Sequence, residues 1–285
     1  MNDAPQPFEL HVTVNSANES AVELLQQDCN LSKQAIKLAM NNGAVWLTRE
    51  NRTQRIRRAK KRLQPGDTLH LYYNSVVQSE IPAESILIDD LGGYSVWCKP
   101  RGMRSQGSKW GDHCTIMRWA EKNLEPERIS FSVHRLDMQT SGLILVAHSK
   151  SDAAALAKLF RDREIEKCYR AIVAGDLSMR LNPLRTEEPI DGKTAISEIS
   201  FLELSSDGTK SVVDVRIETG RKHQIRKHLA SIGHPVIGDR LYGTGETDGL
   251  DLQLTAYLIA FHCPIKDKHV EYRLPAEQLP GFLLS

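Results

Sequence analysis

The sequence predicts an α+β protein: a mixed, largely antiparallel sheet in one large domain, preceded by a small α+β module. Segments with strand patterns dominate the chain after residue 85, and the clearest covers residues 213–219, where valine and isoleucine alternate with charged residues. Short helical segments flank these strands without the regular β-α alternation of a doubly wound sheet, which argues against that architecture.

Length and composition limit the class of protein. The 285 residues suffice for two domains, and 40% hydrophobic with 26% charged residues is typical of a soluble globular protein. The five scattered cysteines form no CxxC pair, which argues against a zinc knuckle or a disulfide framework and favours a reducing, cytoplasmic setting. The N-terminus lacks a signal-peptide pattern, and no apolar run approaches the roughly 20 residues that a membrane-spanning helix needs.

The first part of the chain predicts a tail and a small module. Residues 1–17 are expected to form an N-terminal tail, extended or with a short edge strand. Ser20–Glu23 has the pattern of a capping box at a helix start. A second helix is expected to begin after Ser32 and to end at Gly43. A strand, a turn and a closing strand follow at residues 44–48, 65–67 and 69–73.

Two short helices followed by strands around a Pro-Gly-Asp turn resemble the alpha-L RNA-binding module, which also occurs in a ribosomal protein of the small subunit. The resemblance covers residues 18–75 and depends mainly on Leu31-Ser32-Lys33 and on the segment 63–67. One departure is visible, because residues 47–52 stand where the module usually has a short Val-Asn-Gly turn.

A dense run of cations begins in that departure. Eight of the fourteen residues from 49 to 62 are basic, against one acid, Glu50. An isolated run of this kind is usually a solvated face, but within an RNA-binding module it predicts contacts with phosphates. We call these residues the basic strip: Arg49, Arg52, Arg55, Arg57, Arg58, Lys60, Lys61 and Arg62.

Residues 76–85 have the composition of a linker, and a second domain is predicted to span 86–285. It opens with an apolar strand, a Gly92-Gly93 turn and a strand that ends in the loop Lys99-Pro100-Arg101-Gly102. The further elements are a helix at 151–163, a strand at 167–175, an irregular segment at 178–194, the strand at 213–219 and a helix that begins within 220–229.

The stretch His134–Ala147 organises this second domain. A cation, a carboxylate and an imidazole come first, a Thr-Ser-Gly turn follows, and an apolar strand ends the stretch. Asp137 therefore lies at the mouth of a buried strand, where a carboxylate can be held rigidly and partly desolvated. Taken alone, Arg135 and Asp137 would be more simply interpreted as a surface ion pair.

The whole stretch matches a signature of the RluA-type pseudouridine synthases. A second match is the string from Gly220 to His228, followed by residues 233–239 and 242–243. With Tyr169-Arg170-Ala171, the resemblance covers residues 86–275. One position departs from the family, which tends to have His where this chain has Thr255 between Leu254 and Ala256.

A zinc site is an alternative interpretation of His223, His228 and His234, which are close in sequence. Residues five apart lie about 140° around a helix, so the first two do not share a face. No acidic residue has ligand spacing with them either, and no metal is predicted.

The resemblance implies an RNA pseudouridine synthase, an isomerase that detaches uracil from ribose at N1 and rejoins it through C5. It implies that Asp137 is the catalytic group and that Arg226 pairs with it. It further implies that Arg135 enters the gap left by a flipped base, that Tyr169 stacks on or hydrogen-bonds to the uracil, and that Leu254 keeps an apolar pocket position.

Because this isomerisation involves no redox change, no metal or organic cofactor is expected. The expected substrate is ribosomal or transfer RNA, modified during its processing by a cytoplasmic monomer with no membrane partner. One alternative is a non-catalytic RNA-binding or ribosome-assembly factor that retains the synthase fold. A hydrolase that uses Asp137 is disfavoured, because no second carboxylate is suggestively spaced.

Overall fold

The computed structural model describes residues 6–16, 20–243 and 249–282. The parts of the predicted tail and module that fall on residues 1–5 and 17–19 therefore lie outside the described residues. The chain divides into two compact units. Unit 1 comprises the chain up to Ala83 together with Gln106–Trp119, and unit 2 comprises Glu84–Ser105 and the chain from Ala120 onward.

Unit 1 is built on a four-stranded antiparallel sheet with strand order β1-β4-β2-β3. Its elements are β1 (Phe8–Thr13), α1 (Ala21–Gln27), α2 (Lys33–Asn41), β2 (Val45–Arg49), β3 (Arg52–Arg55), β4 (Thr68–Tyr73) and α3 (Ser75–Ser79). Alternate residues of the strands point to opposite faces, and the apolar face of the sheet packs with α1 and α2 in one core.

The two helix starts predicted in unit 1 have different outcomes. Ser32 caps α2 as predicted, because its Oγ accepts a hydrogen bond from the Ala35 N–H at 3.1 Å. The predicted capping box is wrong: Ser20 precedes α1 without a side-chain capping bond. Glu23, its expected partner, points outward instead and lies 3.5 Å from the Nζ of Lys33.

The expected tail and the expected linker each contain a regular element. Residues 8–13 form β1, an edge strand paired with β4, which is one of the two forms expected for the tail. The beginning of the expected linker forms α3, since the side chain of Asn74 accepts from the N–H groups of Val76 and Val77 and so caps a short helix. The buried Gln78 of this helix bonds Asn42 at 3.1 Å, a partner that is remote in sequence.

Unit 2 is organised on a ten-stranded sheet with the order β10-β11-β12-β9-β13-β8-β6-β5, in which β14 also pairs with β13 and β7 with β8. The strands are β5 (Ile86–Asp90), β6 (Tyr94–Lys99), β7 (Phe131–Ser132), β8 (Ser141–Ala147), β9 (Ile165–Ala174), β10 (Leu184–Thr186), β11 (Ser197–Leu204), β12 (Lys210–Ile217), β13 (Leu254–Cys263) and β14 (Lys268–Arg273). The helices are α4 (Ile116–Asn123), which begins in unit 1, α5 (Lys150–Asp162), α6 (Gln224–Ser231) and a 3-10 turn at Ala276–Gln278.

The predicted fold class is confirmed, because the described strands of unit 2 pair in antiparallel fashion except for β8 with β13. One core lies around β6, β8, β13 and α5, and another around β9, β12 and α6. Among the helices that the structure describes, none has both the length and the apolar character needed to cross a membrane.

The parallel contact between β8 and β13 depends on Gly142. Its φ is +113°, and a Cβ on this residue would lie 2.1 Å from the carbonyl oxygen of Ala256. Only glycine permits this approach of the two backbones. Next to it, the Oγ of Ser141 lies 2.8 Å from the Oγ1 of Thr255. The residue that departs from the family pattern is thus buried and bonded within the strand pair.

We expect Gly142→Ala to lower the free energy of unfolding by about 3 kcal/mol or more, because β13 must move away from β8. Urea unfolding of the full chain measures this change. Gly208→Ala is the matched control: its φ is +70°, but a Cβ there meets nothing within 4 Å. In the control, the free energy of unfolding should fall by about 1 kcal/mol, because only the left-handed backbone is unfavourable for alanine there. Equal losses in the two variants would contradict a role for the close approach.

Candidate active site

A pocket in unit 2 lies between the loop that precedes β8 and the start of α6. Its volume is about 170 Å³. All five residues that the sequence analysis assigned to catalysis and to the uridine pocket line it: Arg135, Asp137, Tyr169, Arg226 and Leu254. The tertiary structure thus brings together side chains from four separate segments of the chain.

The backbone on the N-terminal side of Asp137 is held by one hydroxyl. The Oγ of the buried Ser105 donates to the Leu136 carbonyl at 2.7 Å and accepts from the Leu136 N–H at 3.0 Å. On the C-terminal side, the N–H of Thr140 donates to the carbonyl of Asp137 at 3.1 Å and closes a turn. Asp137 therefore occupies a fixed position on a loop that has little freedom.

A buried lysine also binds the loop that carries Asp137. Lys99 is fully buried, and its Nζ donates to the carbonyls of Pro100, Met103 and Met138 at 3.0, 2.8 and 3.3 Å. Burial lowers the pKa of Lys99 to about 7, although the charge of nearby Asp137 opposes that shift. Lys99 thus binds the residue that follows Asp137, and in its protonated form it brings a positive charge close to the Asp137 carboxylate.

Arg226 has a stronger partner than the one that the resemblance implied. Its guanidinium forms two hydrogen bonds to Asp239, at 2.7 and 2.6 Å, and lies 3.9 Å from the nearer oxygen of Asp137. The Asp137–Arg226 pairing is therefore a longer contact beside a bidentate ion pair. The Asp239 side chain is fully buried and that of Arg226 is 7% exposed.

Asp239 is a charged group that the sequence analysis did not assign, although it belongs to the second matched string. Burial disfavours its charge, but the hydrogen bonds from Arg226 and from the N–H groups of Leu241 and Tyr242 outweigh burial and keep its pKa below the ordinary value. Its spacing of 13 residues from Arg226 is not a helical or strand spacing, so no periodic pattern could have indicated the pair.

His223 is a second unassigned neighbour of Asp137. It precedes α6 with a left-handed φ of 56°, and its Nε2 lies 3.7 Å from an oxygen of Asp137. Its Nδ1 lies 2.9 Å from the hydroxyl of Tyr242, and the ring of Tyr242 also faces the guanidinium of Arg226. Burial lowers the pKa of His223, and the charge of Asp137 opposes that shift.

A buried glutamine sets the position of α6. The Oε1 of Gln224 accepts from Thr219 at 2.7 Å, and its Nε2 donates to Ser197 at 3.0 Å, so the first residue of the helix is tied to two strand regions. These hydrogen bonds anchor the start of α6 and so fix the positions of Arg226 and His223 at the pocket. The other two histidines of the zinc alternative have separate partners, since His228 bonds Ser197 and His234 bonds the Ala174 carbonyl.

Tyr169 and Leu254 form the inner wall of the pocket on neighbouring strands, β9 and β13. Burial and the charge of Asp137 both raise the pKa of Tyr169, so its phenol keeps its proton. Arg135 is exposed at the rim. Its guanidinium makes no hydrogen bond or ion pair with any residue that the structure describes.

The basic strip divides into two groups. Arg49 makes two hydrogen bonds of 2.8 Å to Asp67, and Arg57 lies 2.6 Å from Asp112, which Arg55 also approaches at 3.4 Å. These three arginines are held inside unit 1 by carboxylates far away in sequence. The other five residues are exposed, and their side chains form no hydrogen bond or ion pair within the described part of the chain: Arg52, Arg58, Lys60, Lys61 and Arg62.

Residues 93–231 match the family model described as RNA pseudouridylate synthase. The dual-specificity RNA pseudouridine synthase RluA of Escherichia coli K12 is 33% identical over 194 residues, which cover 63% of this chain and 87% of that protein. RluA of Salmonella typhimurium is 37% identical over 161 residues, which cover 51% of this chain and 73% of that protein.

Two further similarities cover more of the chain at lower identity. An uncharacterized RNA pseudouridine synthase of Aquifex aeolicus is 28% identical over 276 residues, 86% of each chain. Among solved structures, human RNA pseudouridylate synthase domain containing 1 matches with a TM-score of 0.59 and 23% identity, over 70% of this chain and 88% of that one. This structural likeness shows the fold.

The ion pair of Asp239 predicts an acid-sensitive part of the stability. The unfolded chain protonates this carboxyl near its ordinary pKa of 3.8, and the folded protein does so only at lower pH. As the pH falls through this window, the unfolded state takes up the proton first and is favoured, so the free energy of unfolding should decrease below about pH 4. Urea unfolding at a series of pH values measures the decrease.

The double variant Arg226→Met with Asp239→Leu removes both charges and is the control for this pH series. Its free energy of unfolding should decrease less steeply below about pH 4 than that of the natural chain. Identical slopes would show that Asp239 does not carry the acid dependence.

Proposed function

This chain belongs to the RluA-type RNA pseudouridine synthases, a family of isomerases that act on RNA, and we propose that it isomerises uridines in structured RNA through Asp137. In the reaction, the bond between N1 of uracil and C1′ of ribose breaks, the base rotates, and a bond forms between C5 and C1′. C5 loses its proton and N1 gains one, so the product is an isomer of the substrate.

The proposal depends mainly on the exposure of the Asp137 carboxylate and on its distance from the neighbouring side chains. The carboxylate is 22% exposed, and its nearest ionisable neighbours, His223 and Arg226, lie at 3.7 and 3.9 Å, beyond hydrogen-bond distance. Because Asp239 already neutralises Arg226, Asp137 is oriented by that guanidinium without being sequestered by it. Its oxygens remain free to attack C1′ or to stabilise positive charge that develops on the sugar.

The neighbouring side chains suit the other demands of the reaction. A detached uracil needs a closed wall, and Tyr169 with Leu254 supplies a ring for stacking or hydrogen bonding and an apolar contact. A uridine in folded RNA must first leave its stack, which costs a few kcal/mol. Arg135, an exposed cation two residues from Asp137, is proposed to fill the gap that the flipped base leaves.

Unit 1 is proposed to be an alpha-L RNA-binding module that holds the substrate through the five exposed residues of the basic strip. Their number and their freedom from carboxylates support contacts with phosphates. Arg49, Arg55 and Arg57 are instead proposed to maintain the unit, because each is engaged by an internal acid.

Ribosomal or transfer RNA is the proposed substrate, modified by a monomer in the cytoplasm, a reducing compartment that suits the five scattered cysteines of the sequence. Mapping pseudouridines in total RNA from cells with and without the protein tests the substrate. A site that disappears from ribosomal or transfer RNA supports the proposal, and an unchanged map of both contradicts it.

We expect Asp137→Asn to fold, to bind RNA and to form no detectable pseudouridine, because an amide can neither attack the sugar nor balance its charge. Since Arg226 keeps Asp239, the free energy of unfolding should fall by less than about 1 kcal/mol. Pseudouridine formation and urea unfolding are measured on one preparation. The control is Asp191→Asn, an exposed carboxylate with positive φ that Asn tolerates; it should keep full activity. Substantial turnover by a folded Asp137→Asn would rule out this mechanism.

Arg135→Ala should slow modification of folded RNA by about tenfold or more, since extraction of a stacked base costs a few kcal/mol. An unstructured oligonucleotide with the same target needs little extraction and should be modified at nearly the natural rate. Single-turnover rates on the two substrates give the comparison, with the exposed Arg180→Ala as a control that should change neither. Equal slowing on both substrates would mean that Arg135 orders the catalytic loop instead.

The double variant Lys60→Gln with Lys61→Gln should weaken RNA binding and flatten its dependence on salt. Each lost phosphate contact reduces the slope of log K against log salt by about 0.7 to 0.9, so two contacts should reduce it by about 1.4 to 1.8. Lys266→Gln with Lys268→Gln removes the same charge from exposed positions of unit 2 and should leave the slope nearly unchanged. Equal slopes in both variants would mean that the strip is only a solvated face.

A further inference from the structure

The open face of the sheet in unit 1 carries a surface of aromatic rings and cations. In register across the four strands lie His11, His70, Trp46 and Arg55, one from each strand. On one side of this row, Tyr72 stands opposite Glu9, next to Lys109 and Trp110 from the segment 106–119. We call the group of His11, His70, Tyr72, Lys109 and Trp110 the ring platform.

Hydrogen bonds fix the imidazoles of this platform. The Nδ1 atoms of His11 and His70 are 2.8 Å apart, and the Nε2 of His70 is 2.8 Å from the Oγ1 of Thr48. Thr48 in turn lies 2.8 Å from the hydroxyl of Thr53. This chain of bonds crosses all four strands, so the rings are oriented before any ligand arrives.

The aromatic rings form a continuous group, and the ion pair of Lys109 with Glu9 lies at its edge. The rings of Tyr72 and His70 are nearly parallel, with an interplanar angle of 12° and centroids 6.4 Å apart, and Tyr72 meets Trp110 edge to face at 6.1 Å. The Nζ of Lys109 lies 5.0 Å from the ring of Tyr72 and 5.2 Å from that of Trp110. Tyr72 and Trp110 are half-buried while His11 and Lys109 are exposed, so the rings keep accessible surface.

The composition of the face fits nucleic acid better than a protein surface. The large exposed aliphatic residues of unit 1 lie elsewhere, on α2, on α3 and at Ile81. Rings that keep a free surface offer stacking partners to every base, whatever its sequence. The row ends at Arg55 on β3, and four exposed cations of the basic strip follow this strand along the chain: Arg58, Lys60, Lys61 and Arg62. These cations can contact a phosphate backbone whose bases reach the rings.

We propose that the ring platform binds a single-stranded segment of the RNA by stacking its bases on Tyr72, Trp110 and His11, while the backbone follows the basic strip. The inference rests on the proposed function only in assuming that unit 1 meets the RNA substrate. It adds a base-dependent contact, outside the catalytic pocket, to the charge-dependent contacts proposed above.

The test compares the binding of two RNA probes to the full-length protein. One is an oligocytidylate of eight nucleotides, which offers no uridine, and the other is an abasic ribose-phosphate chain of the same length and charge. Fluorescence anisotropy of an end-labelled probe measures both affinities. Each stacked base should contribute about 5- to 150-fold, so the natural chain should prefer the base-bearing probe by at least about fivefold. Stacking should also quench the tryptophan fluorescence.

Tyr72→Leu and Trp110→Leu should reduce this preference towards one, whereas Trp110→Phe, which retains a ring, should keep most of it. His11→Ala changes an exposed residue with little risk to folding and should reduce the preference in part. Lys60→Gln with Lys61→Gln should weaken the binding of both probes equally and leave the preference unchanged. Circular dichroism checks that each variant is folded.

Equal affinity of the natural chain for the two probes would overturn the inference. So would an undiminished preference in folded Tyr72→Leu, Trp110→Leu and His11→Ala, because the stacking would then occur elsewhere. These outcomes are independent of catalysis, which is read from pseudouridine formation at Asp137, and of the salt slope of the basic strip. The platform can therefore fail while the proposed function stands, and the reverse also holds.

Discussion

The parallel pairing of β8 with β13 is the constraint on which the catalytic unit depends. It joins two parts of the large sheet, β10-β11-β12-β9-β13 on one side and β8-β6-β5 on the other. Asp137 belongs to the second part, whereas Tyr169 and Leu254 lie on strands of the first and Arg226 on the helix that packs against it. Gly142 permits the junction because a side chain there would collide with Ala256. The pocket therefore depends on the close approach of the β8 and β13 backbones.

The charges of the site orient the Asp137 carboxylate and still leave it available for reaction. A buried guanidinium needs a close partner, since leaving it alone would cost several kcal/mol. Asp239 fills that need with two short hydrogen bonds, and Asp137 can then lie within the field of Arg226 without a direct bond. The loop of Asp137 is held through its backbone by Ser105 and Lys99, so its carboxylate is fixed in position and still free to react.

In unit 1, the number of cations in the sequence overstates the number that are available at the surface. Three of the eight cations in the basic strip form ion pairs with Asp67 and Asp112 inside the unit. The second of these acids is brought by the segment 106–119, which the sequence analysis assigned to the second domain and which groups with unit 1. The same segment contributes Lys109 and Trp110 to the ring platform, a surface that no short-range pattern indicated.

The sequence by itself determined the class of the fold, several helices and strands, the family and the residues that meet in the pocket. Periodicity and turn residues are local properties, and the two long motifs bring their residues as units, so both could be read along the chain. Tertiary structure decided which charges pair: Arg226 with Asp239, Arg49 with Asp67 and Arg57 with Asp112. It also decided that the capping box does not form and that Thr255 bonds Ser141. An ion pair depends on distance in space, and residues 55 positions apart, such as Arg57 and Asp112, become neighbours only after the intervening chain has folded.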